Sequence, residues 1–242
     1  HGIVSHSSPR LSVILVTDTY DTIRPVIERL RRQTVRDQIE VVLVAPTAGA
    51  VSEMREQAEK FAGVRVVEHH VTDMAAARVA GIRAAAAPIV FLGETHSYPD
   101  PGFAEALIAA MDGPWSIVAP CFDNANPNEA LSWSAFLFDY GRWSEGPPAG
   151  EIADAPGYNV AYRRSVLVGH GDRLHAALED HDEWSRMVYG GGHRIYFEPA
   201  ARIEHLNVAR PADWVSERFA AGVLCGSRRA LRWSLLRRLA YA

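Results

Sequence analysis

Four short apolar runs rich in β-branched residues, separated by stretches with helical spacing, occupy the first ninety or so residues of the chain. Leu11 to Val16 (LSVILV), Ile39 to Val44 (IEVVLV), Val64 to Glu68 and Pro88 to Leu92 (PIVFL) read as strands. The runs Leu11 to Val16 and Ile39 to Val44 fit strands buried on both faces, and Val64 to Glu68 a short strand. Between them, Ile23 to Gln33 places Ile23, Val26, Ile27 and Leu30 at helical intervals. Val51 to Phe61 reads as a second helix and Asp73 to Ala87 as an alanine-rich third. Strands alternating with helices predict a mostly parallel sheet with right-handed crossovers. Such sheets hold ligands beyond the carboxyl ends of their strands. Those ends are Thr17-Asp18, Ala45-Pro46-Thr47 and Gly93-Glu94-Thr95-His96.

The second half is less regular. Phe103 to Met111 reads as a helix and Trp115 to Ala119 as a strand. Asn124 to Gly150, rich in Asn, Pro, Gly, Trp and Tyr, reads as a long loop, and loops of that length are usually functional. An acidic helix is expected over Leu178 to Tyr189, stopped by Gly190-Gly191-Gly192. A strand follows over Arg194 to Phe197, and a last helix runs from about Ala212 to the end.

Several function classes drop out. The longest apolar run, Ala84 to Leu92, is far shorter than the roughly 18–20 residues that cross a bilayer. The first ten residues lack the apolar segment of a signal peptide. Two cysteines, Cys121 and Cys225, make neither a disulfide framework nor a zinc site, so a reducing cytoplasm is expected. A dehydrogenase fingerprint or a phosphate-binding P-loop needs glycines after the first strand, where this chain has VTDTYD. The net charge of −4 conceals an asymmetry: from Ser227 onward there are five arginines and no acid. A nucleic-acid binder spreads positive charge over its working face. Here that charge is confined to a tail, and no nucleic-acid partner is expected.

Six segments, taken in order, resemble glycosyltransferase family 2, the inverting sugar transferases of GT-A fold. They are SVILVTD with RRQT, AAARVAGIRAAAAPIVFL, YPDPGF, PGYNVAYRRSVL, EDHDEWSRM and RIYFEPAARIEH, together covering roughly residues 11–206. The resemblance implies an α/β fold: one GT-A domain over 11–211, its nucleotide-binding half at 11–100 and its acceptor half at 101–211. Residues 1–10 form a leading tail and 212–242 a basic amphipathic helix. Two departures stand out. The family's acidic pair after the second strand is Ala45-Pro46-Thr47 here, and its Asp-x-Asp metal motif is replaced by Gly93-Glu94-Thr95-His96.

Glu94 and His96 offer an oxygen and a nitrogen to a divalent ion such as Mn²⁺ or Mg²⁺, and the resemblance supplies His205 in RIEHLN as a third ligand. The alternative has Glu94 binding a sugar hydroxyl and His96 capping the next turn. Thr17, Asp18, Arg78, Glu94 and Asn159 are the expected nucleotide-sugar contacts. Arg78 brings the planar fork that suits phosphate oxygens. Asp18 and Asp73 have helix capping as the alternative. An inverting transferase needs one base to take the acceptor's proton. The resemblance assigns it to Asp180 in the EDHDE segment, with Asp182 and Glu183 as the alternatives if the register of the match shifts. Of the loop aromatics Trp133, Phe136, Tyr140 and Trp143, two at most are expected to serve the site.

The expected reaction is transfer of a hexose from a nucleotide sugar, UDP-linked by first choice, to a hydroxyl of a glycan or lipid-linked acceptor. A retired sugar-binding domain, a nucleotidyltransferase and a scaffold for a membrane assembly are the alternatives. The tail 227–242, with leucines and aromatics among its arginines, suits an anionic membrane surface. A tail helix packed on its own domain or on a second subunit is the alternative. The expected location is the cytoplasm, peripheral to the inner face of the membrane.

Overall fold

The structure, a computed structural model, describes residues 8–240. Strands β1 (Leu11–Val16), β2 (Ile39–Ala45), β3 (Gly63–Glu68) and β4 (Ile89–Leu92) pair in parallel in the order β3-β2-β1-β4. Every residue of β1, β2 and β4 is buried; the runs are apolar except for Ser12 and Glu40, and the Ser12 hydroxyl donates to the Glu40 carboxylate. Helix α1 (Tyr20–Arg31) starts where the Thr19 side chain accepts from the Thr22 amide. It buries Ile23, Val26, Ile27 and Leu30, the four residues at helical spacing. Gln33, 1 % exposed, follows it and bridges to the second half: its Nε2 donates to Asp100 O and its Oε1 accepts from the Ala104 amide. Helix α2 (Met74–Ala84) is capped by the Asp73 carboxylate. It lies so close to the sheet that a Cβ on Gly81 would meet Ile14 Cγ2 at 2.6 Å and Val44 Cγ2 at 3.0 Å.

The sheet continues through β8 (Ala161–Arg163), β6 (Ile117–Asn124), β9 (Ile195–His205) and β5 (Ser97–Pro99), with β7 (Gly150–Ile152) paired to β9. β8 runs antiparallel to both β4 and β6, while β6 and β9 are parallel. Helices α3 (Phe103–Ala110), α4 (Ala130–Asp139), α5 (Arg164–Gly169), α6 (Leu174–Glu179), α7 (His181–Gly190), α8 (Pro211–Arg232) and α9 (Leu235–Ala240) complete the chain. The result is a mixed α/β domain of GT-A-like architecture.

Several elements differ from the sequence reading. Residues Ala48–Lys60 form 3-10 turns rather than an α-helix, with a break at Val51. Only Val51 and Met54 are buried there, too little packing to stabilise a longer α-helical register. The stretch 124–150 is not a loop. It carries α4, whose buried side is Ser132, Ala135 and Phe136, while Trp133, Leu137 and Phe138 face outward; apolar residues on both sides hide the helical period. β6 and β9 run five and eight residues beyond the expected ends at Ala119 and Phe197. Their extensions mix buried Cys121, Phe122, Ala201 and Ile203 with polar residues joined across the pair by Arg202 on Asp123 at 2.7 Å, so no continuous apolar run announces them. The acidic helix is two helices, because Asp180 is extended and caps α7. The last helix is likewise interrupted at Trp233. Residues 1–7 and 241–242, including the end of the expected tail, lie outside the described residues.

Candidate active site

Beyond the carboxyl end of β4 the chain turns at Gly93, whose amide donates to Ile14 O at 3.0 Å. A Cβ on Gly93 would meet Leu15 Cδ2 at 2.9 Å, so a larger residue there would have to displace the end of the buried Leu15 side chain. This turn delivers Glu94 to a cavity of about 670 Å³ that is lined by Glu94, His96, Tyr140 and His205, together with Glu217 and Arg218 from α8. One oxygen, Glu94 Oε2, is the hub. Asn159 Nδ2 donates to it at 2.6 Å and the Tyr140 hydroxyl at 3.2 Å. His205 Nε2 stands 3.4 Å and His96 Nε2 3.9 Å from the same oxygen. Asn159 reaches it through a left-handed backbone, φ 56°, a conformation that costs a residue with a Cβ about 1–3 kcal/mol. It is fully buried, and its Oδ1 has no partner among the described residues.

Burial pushes the Glu94 carboxyl upward, but His205, His96 and Arg78 outweigh it and hold the group at about 2. Burial lowers His96 below its ordinary value, which favours the neutral ring. Tyr140 is raised well above the usual phenol range by burial and by the Glu94 charge. It therefore stays a donor to the carboxylate.

Glu94, His96 and His205 each place one ligand atom within 4.8 Å of the other two. Ligands that share an ion at about 2.1 Å stand about 3–3.5 Å apart, so modest contraction of this trio suffices. One carboxylate oxygen with two imidazole nitrogens suits a borderline divalent cation such as Mn²⁺. The residues present fit such an ion.

The other expected contacts are distributed along the cleft. Arg78 is 8 % exposed, and its guanidinium lies 3.6 Å from the centroid of the Tyr158 ring. From there its charge still stabilises ionised Glu94. Tyr158 also donates to Leu178 O, which ties the Asn159 loop to the end of α6. Thr17 is buried at the end of β1 and donates to Thr19 O at 2.7 Å. Asp18 is exposed and is lowered by the Thr22 hydroxyl that donates to it at 2.8 Å; Thr19, not Asp18, caps α1. Neither Thr17 nor Asp18 lines the Glu94 cavity.

The three candidate bases also stand apart from that cavity's lining. Asp180 accepts from the Asp182 amide at 2.8 Å as the cap of α7. Glu183 pairs with Arg186 at 2.6 Å and faces Arg173 at 3.8 Å. Glu179, next to Asp180, lines a neighbouring groove with Asp73 and Tyr158.

Several site residues escape sequence reasoning. Among the loop aromatics only Tyr140 lines the cavity; Trp143 is buried and donates to Asp154 O, Phe136 is buried, and Trp133 is partly exposed. On α8, Arg218 grips Asp139 through both carboxylate oxygens, which draws into the cavity wall a helix expected to be a tail. Behind His205 lies an amide cluster of Asn124, Asn126, Ser132 and Asn207. Its only trace in the sequence is the density of asparagine in NANPN and HLN. A second trio, Asp73, His175 and Glu179, also converges. It is accounted for by Asp73 capping α2 and accepting from His175 at 3.0 Å.

Comparison with known proteins gives two results. The family described as "Glycosyl transferase family 2" matches residues 12–170. Among solved structures, TarS from S. aureus superposes with a TM-score of 0.60 at 14 % identity, over 81 % of this chain and 36 % of that one. TarS 1-349 in complex with UDP superposes at 0.58 and 13 % identity, over 81 % of this chain and 60 % of that one. This chain therefore spans less than two thirds of either neighbour. At this identity the likeness speaks for the fold. No curated protein sequence matches the chain.

Proposed function

The chain belongs to glycosyl transferase family 2, and from that premise we propose that it is an inverting transferase acting on a nucleotide sugar, with a divalent cation held by Glu94, His96 and His205. The observation that carries this reading is the convergence of those three ligand atoms beyond β4, beside a cavity large enough for a donor. When bound, the cation neutralises charge that develops on the diphosphate as the glycosidic bond breaks. Asn159 and Tyr140 hold the Glu94 oxygen in place. Arg78 offers a fixed positive charge nearby, which in an enclosed cleft is worth more than in water.

Asp180 is the proposed base. It takes the proton from the acceptor hydroxyl as that oxygen attacks the anomeric carbon, and the nucleoside diphosphate departs with the electrons of the broken bond. UDP is the first choice of nucleotide, supported by the UDP held by TarS 1-349. The transferred group is a hexose, and the acceptor a glycan or lipid-linked hydroxyl near the inner face of the membrane. The location rests on the five arginines after Gly226. Leu235, Leu236, Arg237 and Arg238 of α9 are exposed. Among the described residues no helix is long and apolar enough to cross a membrane.

One observation favours a second reading, a domain that binds donor without turning it over: Asp180, Asp182 and Glu183 all stand outside the lining of the Glu94 cavity. A donor screen separates the two. UDP-, GDP- and dTDP-sugars are offered with and without Mn²⁺, and both binding and release of nucleotide are followed. Mn²⁺-dependent release supports the transferase; binding with no release supports the retired domain.

A further inference from the structure

His205 is 8 % exposed and sits at the last position of β9. Its Nε2 faces Glu94 Oε2 at 3.4 Å, while its Nδ1 lies 2.8 Å from Asn207 Oδ1. Only one ring nitrogen of a neutral imidazole carries a proton, and the hydrogen bonds around it decide which.

Two acceptors compete for that proton, Glu94 Oε2 at 3.4 Å from Nε2 and the Asn207 side chain at 2.8 Å from Nδ1; the shorter contact favours Nδ1 once the Asn207 atom is its oxygen, and the surrounding amides fix that. The Asn126 backbone N–H, which can only donate, points at Asn124 Oδ1 at 3.1 Å, so that atom is the oxygen. Asn207 Nδ2 then faces two acceptors, Asn124 Oδ1 and His205 O, each at 2.9 Å. Flipping the Asn207 amide would set its oxygen against both, so its Oδ1 must face the His205 ring. The main chain of Asn207 is pinned as well, its amide donating to Asn126 Oδ1 at 2.9 Å and its carbonyl accepting from Asn126 Nδ2 at 2.8 Å. The cluster has a cost: Asn124 Nδ2 is buried without a partner among the described residues.

We propose that Asn207 is a positioning residue that commits the His205 proton to Nδ1 and so presents a bare Nε2 lone pair to the cleft. The consequence for the site rests on the cation reading above: a ligating nitrogen must be unprotonated, and a partner on the other nitrogen both orients the ring and raises its basicity. Because Asn207 acts on the His205 ring rather than on the cation, its role is visible with no cation present.

The test uses the full chain, ¹⁵N-labelled, with long-range proton–nitrogen correlation of the histidine rings in chelator at alkaline pH, where imidazoles are neutral. His205 is identified by the signals lost in His205→Gln. Wild type is expected to show the proton on Nδ1. Asn207→Leu removes the acceptor and is expected to move the ring to the Nε2–H form or to a mixture. Asn207→Asp keeps an acceptor and is expected to keep Nδ1–H, even though it loses the donor to Asn124 and melts lower. In parallel, Mn²⁺ alone is titrated by calorimetry: Asn207→Leu is expected to bind 10–100-fold more weakly, and Asn207→Asp within a few-fold of wild type.

A proton on Nε2 in wild type, or an unchanged ring in Asn207→Leu, overturns the inference. So does equal loss of Mn²⁺ affinity in both variants, since that is what a merely structural role predicts. Should Asn207→Leu fail to fold, the rings of wild type and Asn207→Asp still decide the matter. Absence of Mn²⁺ binding in wild type, with the ring behaving as expected, defeats the cation reading and leaves the assignment of Asn207 standing.

Discussion

Replacing Glu94 by glutamine removes a charge while keeping shape, and Asn159 and Tyr140 can still donate to the remaining carbonyl oxygen. The variant is therefore expected to fold, yet to lose Mn²⁺ binding and at least ~10²-fold of sugar transfer, as loss of a metal ligand should; calorimetry and a nucleotide-release assay check both. Asp180→Asn is a sharper probe than it first looks. Asn caps a helix about as well as Asp, so the α7 cap at Asp182 N survives. Transfer is expected to fall at least ~10²-fold with donor binding intact; normal turnover there, with loss in Asp182→Asn, moves the base two residues along. The site also predicts a pH response of the metal-free chain. Glu94 is held at about 2 against an ordinary 4.5, so the stability it contributes is complete above 4.5 and fades as pH falls toward 2. His96 is depressed, so folding is also penalised as pH drops below 6.5, its ordinary value. Both effects lower stability on acidification. Melts in chelator from pH 8 to 4 should fall more steeply for wild type than for a Glu94→Gln/His96→Gln double variant. Glu94, His96, His205 and Asn159 were all legible as polar residues beside strand ends or within motifs. Asn207 was not, because its role depends on Asn124 at the end of β6 and Asn126 just beyond it, 83 and 81 positions away in the chain, which no local pattern records.

Two glycines in helices make opposite predictions. Gly81 in α2 faces Ile14 and Val44 with no room for a methyl group, so Gly81→Ala overpacks the sheet and is expected to cost about 1–3 kcal/mol, several degrees of melting temperature. Gly222 in α8 has nothing within 4 Å of the place where a Cβ would stand, and Gly222→Ala is expected to leave the melt unchanged or raise it, by up to about 1 kcal/mol. β1, β2 and β4 could be read from the sequence because burial on both faces forces largely apolar runs. The later elements could not. α4 is apolar on both sides, the extensions of β6 and β9 mix apolar and polar residues, and the break at Asp180 sits within a run of acids that looks uniformly helical. α8 was legible as a helix but not as part of the cavity wall. That role comes from the Arg218–Asp139 pair, two residues 79 positions apart.

At the far end of the fold, α9 carries exposed Leu235 and Leu236 beside Arg237 and Arg238, and α8 exposes Val215, Phe219 and Val223 along one side. If this region meets an anionic bilayer, the chain should co-sediment with anionic vesicles and less with neutral ones. Binding should weaken as salt rises, and weaken again in an Arg237→Glu/Arg238→Glu variant. Equal binding to both vesicle types contradicts it. The reading of the chain as a donor-binding transferase turns on the cavity at the end of β4. Calorimetric titration of UDP into the chain, in Mn²⁺ and in chelator, with wild type and with Glu94→Gln, interrogates that cavity. The structure predicts binding in wild type that needs Mn²⁺ and disappears in Glu94→Gln. UDP binding of equal strength in chelator, or undiminished in Glu94→Gln, would contradict it.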